Sequence, residues 1–222
     1  MRYTVLASAV LLLLLPRAAA GADPDVMSDL HVTIRTYDTS SLPPDARQAA
    51  IATATGILAL AGVTAVWMEC DAVFVRSTGD PCLAPLGRTE LSVRIVRLPP
   101  KPGHAGILPL GYSLVDTKAR SGALATIYAD RIAGLAVNCN IDFGLLLGRA
   151  VAHEIGHLLL GTPEHADKGL MRALWSRESI TDSPESTWVF TTRDARSMRV
   201  ALQTRAAEQF AHAIREFLIL NP

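Results

Sequence analysis

Apolar and polar residues alternate along residues 30–37 (LHVTIRTY), the period of a strand with one buried face. The alternation returns at 90–98 (ELSVRIVRL), and shorter β-branched or aromatic runs at 64–68, 112–115 and 123–129 predict three more strands. A polar turn at 118–122 separates the last two. Between the first two strands, Pro43 and Pro44 followed by Asp45 form a helix-start signal, and a helix is expected to run to Ala61 and stop at Gly62. Residues 49–66 carry no charge, but they are rich in Ala, Thr and Gly and broken by Gly62. A packed helix followed by a strand accounts for this better than a membrane span. Asp130 is expected to cap a short helix from Arg131. A helix is predicted over 143–160 with Asp142 as its N-cap. Thr191-Thr192-Arg193-Asp194 reads as a capping box opening a last helix to about Leu218, with Met198, Leu202, Phe210, Ile214 and Phe217 at helical spacing. The order of elements predicts an α+β fold in which a twisted mixed sheet packs on helices.

The N-terminus changes where such a fold would work. Arg2 precedes an apolar run at 5–15, and Ala18-Ala19-Ala20 and Ala20-Gly21-Ala22 offer small-residue cleavage sites. The run falls short of the roughly 20 apolar residues that span a bilayer. Residues 1–22 therefore read as a signal peptide, and 23–222 as one catalytic domain that is secreted or periplasmic, with no stable membrane span once the signal is removed. Without Arg2 and Arg17 the chain has 19 basic and 21 acidic residues, so no basic surface points to nucleic acid or an anionic membrane. Three cysteines, Cys70, Cys82 and Cys139, remain in an oxidising compartment. Cys70 and Cys82 flank a Gly79-Asp80-Pro81 turn and are the expected disulfide, leaving Cys139 free and buried.

The chemistry concentrates at His153-Glu154-Ile155-Gly156-His157. Two histidines four apart on a helix project from one face, where their imidazoles can meet one Zn²⁺. Glu154 lies about 100° around the helix from His153, too close to the metal to be idle and poorly aimed to ligate it. It suits the general base that deprotonates water. A catalytic zinc takes three protein ligands and keeps one position open. His165 is the first candidate for the third, because Gly161 can end the helix and Pro163 prevents its continuation. Glu178 is the second, with Asp182 four residues on; Glu164 and His104 are weaker choices. Trp175 and Trp188 read as core or cleft-wall aromatics, and Tyr112 or Tyr128 as candidate hydroxyl donors to a reacting carbonyl.

The stretch from His153 to Met171 resembles the metzincins among the zincin metallopeptidases: HExxH, a helix-stop glycine, a third histidine and a later methionine turn under the metal. The spacing differs, with three residues rather than two on each side of Gly161. The Glu178 pattern resembles the gluzincins instead. The metzincin resemblance implies a zincin domain with Zn²⁺ on His153, His157 and His165, and Glu154 as catalytic base. It implies an edge strand that pairs with an extended peptide or protein substrate, for which residues 123–129 are the candidate by position. A zinc-binding relative without activity is the alternative from another class.

Overall fold

The computed structural model describes residues 30–70, 79–98 and 109–220. Residues 1–22, read from the sequence as a signal peptide, and His104 lie outside the described residues.

Helix α3, Phe143–Leu160, is the element around which the others are arranged. Asp142 caps it, accepting the Leu145 N–H at 2.7 Å as expected. By length and composition α3 could cross a membrane, but 83% of it is buried inside the fold. Its apolar residues face neighbours on every side, which is the pattern of a central core helix. Leu146, Leu147, Leu158 and Leu159 are fully buried, each stabilising the fold by about 1.5–3 kcal/mol relative to exposure.

Helix α1, Pro44–Leu60, crosses α3 closely. A Cβ at Gly144 would stand 2.6 Å from Ala49 Cβ, and one at Gly148 would stand 2.5 Å from the Ala50 carbonyl oxygen. Small residues on both helices thus let the backbones approach, and this packing is why the 49–66 stretch lacks charge and bulk.

Above the helices lies a five-stranded sheet in the order β2-β1-β3-β5-β4. Its strands are β1 His31–Asp38, β2 Thr64–Glu69, β3 Glu90–Val96, β4 Gly111–Asp116 and β5 Ser121–Tyr128. β1 pairs in parallel with β2 and β3, and β3 in parallel with β5, whereas β4 is antiparallel to β5. The sheet is mixed, as expected, but its edge beside α3 is β4 and not the 123–129 strand. The reason is the tight turn after β4, where Arg120 takes a φ of 49° and folds the two strands into a hairpin that leaves β4 outermost.

Among the described residues the remaining α-helices are α2 Ala129–Cys139, α4 Arg177–Thr181 and α5 Thr192–Leu220. α2 begins directly from β5 with Tyr128 in the cap position, so Asp130 falls inside its first turn and accepts the Leu98 N–H at 3.2 Å instead of capping. Thr191 Oγ1 accepts the Asp194 N–H at 3.2 Å and donates to Asp194 Oδ2 at 2.7 Å, the expected start of α5. The last helix forms as expected, with Met198 and Leu202 buried and Phe210, Ile214 and Phe217 exposed. At 1.5 Å per residue α5 is about 44 Å long against about 27 Å for α3, so its distal half runs past the core. Cys70 and Cys82 form the expected disulfide, and Cys139 is free and buried.

Candidate metal centre

Three imidazoles converge at the C-terminal half of α3. The ligand nitrogens of His153, His157 and His165 all lie within 4.8 Å of one another. His153 and His157 are one helical turn apart on the buried α3, and their Nε2 atoms are 3.1 Å apart. Each ring is anchored by its other nitrogen: His153 Nδ1 is 2.9 Å from the Leu170 carbonyl oxygen, and His157 Nδ1 is 2.8 Å from the Thr162 carbonyl oxygen. A carbonyl only accepts, so each Nδ1 carries the proton and donates it. Both Nε2 lone pairs are therefore unprotonated and face one another. Tetrahedral zinc with imidazole ligands would place two such nitrogens about 3.3 Å apart. The donor set and its spacing fit that ion, and the carbonyl anchors are of the kind that orient metal-ligating histidines.

Gly161 brings the third histidine into place. It takes φ 65° and ends α3, its N–H donating to the His157 carbonyl at 2.9 Å. Arg120 in the β4–β5 turn packs against it so tightly that a Cβ would stand 2.1 Å from the Arg120 carbonyl oxygen. The chain then doubles back. The Ala166 N–H donates to the Met171 carbonyl at 2.8 Å, and the His165 ring centroid comes to 4.8 Å from that of His157 and 5.3 Å from that of His153. His165 is exposed, so the cluster opens to solvent on its side. The extra residue before Gly161 lengthens α3, which runs to Leu160, and the one after it lies in this loop.

Met171 is buried against α3 at Gly156. A Cβ at Gly156 would stand 2.6 Å from Met171 Sδ and 2.6 Å from Phe190, which explains a glycine between the two helical histidines. The segment after Met171 is held by an aromatic and cationic stack. Trp188 is fully buried, with the Arg149 and Arg172 guanidinium carbons 4.2 and 4.1 Å from its ring centroid. Trp175 bridges this stack to the site, edge-on to Trp188 at 4.9 Å and to His153 at 5.6 Å. The two tryptophans thus divide into one core residue and one wall of the cluster.

Glu154 faces the edge strand. It is 7% exposed, and its Oε2 is 2.6 Å from the hydroxyl of Ser113 on β4. Burial pushes its carboxyl up to about 7, against the Ser113 hydrogen bond that pulls the other way. Burial acts oppositely on the imidazoles. It takes His153 down to about 3, overriding the bond to Leu170 and aided by His157 and His165, and it lowers His157 and His165 as well. At neutral pH the three rings are uncharged, the form in which imidazole ligates a metal.

No protein-family model matches the chain, and no curated protein matches it. Among solved structures, archaemetzincin from Methanopyrus kandleri matches with a TM-score of 0.53 at 14% identity, over 79% of this chain and 98% of that one. The fold is archaemetzincin-like. The likeness covers the mixed sheet, the helices beneath it and the C-terminal helix, as the order of elements predicted.

The other candidates stand apart from the cluster. Glu178 is exposed in the first turn of α4, where its carboxylate accepts the Ser176 hydroxyl at 3.3 Å, and the metal-capable group contains His165 in its place. The Ser176 cap that starts α4 turns Glu178 toward solvent. Glu164 is exposed beside His165, and the acceptor for the His157 ring is a backbone carbonyl instead. Tyr112 is 60% exposed on the opposite face of β4 from Ser113, and the Tyr128 ring is covered by Arg131 at 4.1 Å. Sequence reading missed Ser113 and Gly111. The signal available was alternation, since residues two apart on a strand share a face, but it needed the knowledge that β4 lies against α3.

Proposed function

We propose that this chain is an exported zinc-dependent hydrolase acting on peptide bonds. The observation that carries this reading is the pair of unprotonated Nε2 atoms 3.1 Å apart, each ring fixed through Nδ1 to a carbonyl, with His165 completing the set. Two facing lone pairs repel unless a cation lies between them. His153, His157 and His165 would hold Zn²⁺. The ion, when bound, supplies Lewis acidity that polarises a carbonyl and eases the deprotonation of water.

Glu154 does the proton work. With its carboxyl at about 7 it is divided between acid and base near neutrality, so it can take a proton from the attacking water and return it to the leaving amine. An extended peptide pairs with the outer edge of β4 through main-chain hydrogen bonds, because among the described residues β4 is partnered by β5 on one side alone. The likeness to a protein named archaemetzincin supports the fold this reading needs. The Cys70–Cys82 disulfide supports an oxidising compartment and so a signal function for residues 1–22.

The test is metal analysis and hydrolysis together. Purified protein should bind about one zinc, cleave a peptide library, and lose cleavage to a chelator and regain it with zinc. His153→Ala and His165→Ala should each lose the metal, and Glu178→Ala should keep it. Stoichiometric zinc with no turnover of any peptide would replace the enzyme by a zinc-binding relative without activity.

A further inference from the structure

Strand β4 does more than border the cluster. Gly111 and Ser113 are two apart and so share the face turned to α3, while Tyr112 and Leu114 point outward and are exposed. At Gly111 the backbone lies against the Glu154 side chain. A Cβ there would stand 2.6 Å from Oε1, 2.7 Å from Cγ and 2.8 Å from the carboxyl carbon. At Ser113 the hydroxyl is 2.6 Å from Oε2 and 2.9 Å from the Glu154 carbonyl oxygen. Ser113 is itself buried, and among the described residues it is the side chain that donates to this carboxylate. One residue therefore leaves room for the carboxylate and the next but one fixes its rotation.

We propose that Ser113 is the positioning residue for Glu154, so that the strand receiving the substrate also aims the carboxylate at the water. The inference rests on the peptidase reading above. A glutamate has three rotatable side-chain bonds, and an unheld carboxylate spreads over several rotamers. Proton transfer needs the accepting oxygen within about 3 Å of its donor. Ser113 removes that freedom through a bond anchored in the sheet. Because a docked peptide adds a strand to the outer edge of β4, it stiffens the segment that carries Ser113. Substrate binding and carboxylate aim are thereby coupled through a single strand.

The experiment compares wild type, Ser113→Ala and Ser113→Thr, full-length and zinc-loaded, on a quenched fluorescent peptide that the wild type cleaves. Ser113→Ala should lower kcat about 10- to 100-fold while KM, bound zinc and Tm stay near wild type. Ser113→Thr, which keeps the hydroxyl, should recover most of kcat. A Ser113→Ala enzyme with unchanged kcat, or one whose loss follows loss of zinc or of folding, overturns the proposal. A wild type that binds zinc but cleaves no peptide brings down the peptidase reading instead. Crystal structures then still judge Ser113: a displaced Glu154 carboxylate in Ser113→Ala upholds the positioning role, and an unmoved one overturns it.

Discussion

Two carboxylates beside the sheet, one at the end of the inner strand β1 and one beneath the edge strand β4, have been treated in opposite ways. Asp38 closes β1 at the corner where the chain enters α1. Its Oδ1 accepts the Ser40 N–H at 2.7 Å and the Ser40 hydroxyl at 2.6 Å, and its Oδ2 accepts the Leu42 N–H and an Arg47 guanidinium N–H, each at 3.0 Å. Burial pushes its pKa up, but the Ser40 and Leu42 bonds and the Arg47 charge together hold it below the ordinary value. Glu154 under β4 has the Ser113 hydroxyl, and burial wins. Burial sets the direction at Glu154, where a lone hydroxyl opposes it, and is overruled at the less deeply buried Asp38 by four donors. The corner acid is an anion at neutral pH that ties two elements together. The acid beneath the edge strand keeps a proton it can exchange near neutrality, which is the property a base in hydrolysis needs.

The largest effect expected from breaking this contrast is on rate. Glu154→Gln should lower kcat/KM by about 10²–10⁴-fold while zinc stoichiometry is unchanged, as read by peptide hydrolysis beside metal analysis. Full activity in that variant removes Glu154 from the chemistry. Asp38→Ala should do the reverse. It should cost about 2–3 kcal/mol in urea denaturation, by stranding donors that a charged acceptor had satisfied, and leave turnover per folded molecule intact. Equal damage to turnover would mean that the two regions are not separable.

A smaller effect concerns pH in the chelator-treated protein. Glu154 has a folded pKa above its unfolded one, so the folded state binds the extra proton between about pH 4.5 and 7. Stability from this group therefore falls as pH rises through that window, and Glu154→Gln should gain on the order of 1–3 kcal/mol over wild type at pH 8 and nothing at pH 4. The sign is opposite for Asp38, whose folded pKa is depressed. Its contribution is present above about pH 4 and disappears as pH falls through the folded value. Denaturation midpoints measured from pH 3 to pH 8 on wild type, Glu154→Gln and Asp38→Asn should show the two slopes, and parallel curves would contradict both assignments. The smallest effect belongs to Arg47→Ala. This guanidinium is partly exposed, so removing it should cost about 0.5–1 kcal/mol and raise the pH at which Asp38 protonates, as NMR titration would read.

Sequence revealed the elements whose signals are local. The Asp142 cap, the Gly161 stop and the HExxH spacing are short-range facts, and α3 with its two facing imidazoles followed from them. The return of His165 was readable because a glycine stop and a proline leave the chain little choice but to turn. What escaped was set by contacts distant in sequence. Residues 123–129 were assigned to the sheet edge because they precede α2 and α3, yet a strand's neighbours depend on the direction of pairing, and the turn at Arg120 leaves β4 outside. Ser113 escaped for the same reason: a serine in a short strand says nothing until the strand is known to lie on Glu154. Asp130 looked like a cap since caps are recognised by residue type, but α2 begins without any break after β5. The distal apolar residues of α5 have helical spacing, and spacing alone cannot tell where the core ends.

The stop at Gly161 and the tip of the β4–β5 hairpin occupy one another's space, with the Arg120 carbonyl where any side chain at 161 would have to go. The hairpin tip is thus a wedge against the root of the loop that presents His165. Lengthening or reshaping that tip would tilt the third imidazole without altering a single histidine. The reach of this site is set as much by a surface turn some forty residues upstream as by the helix that carries its motif.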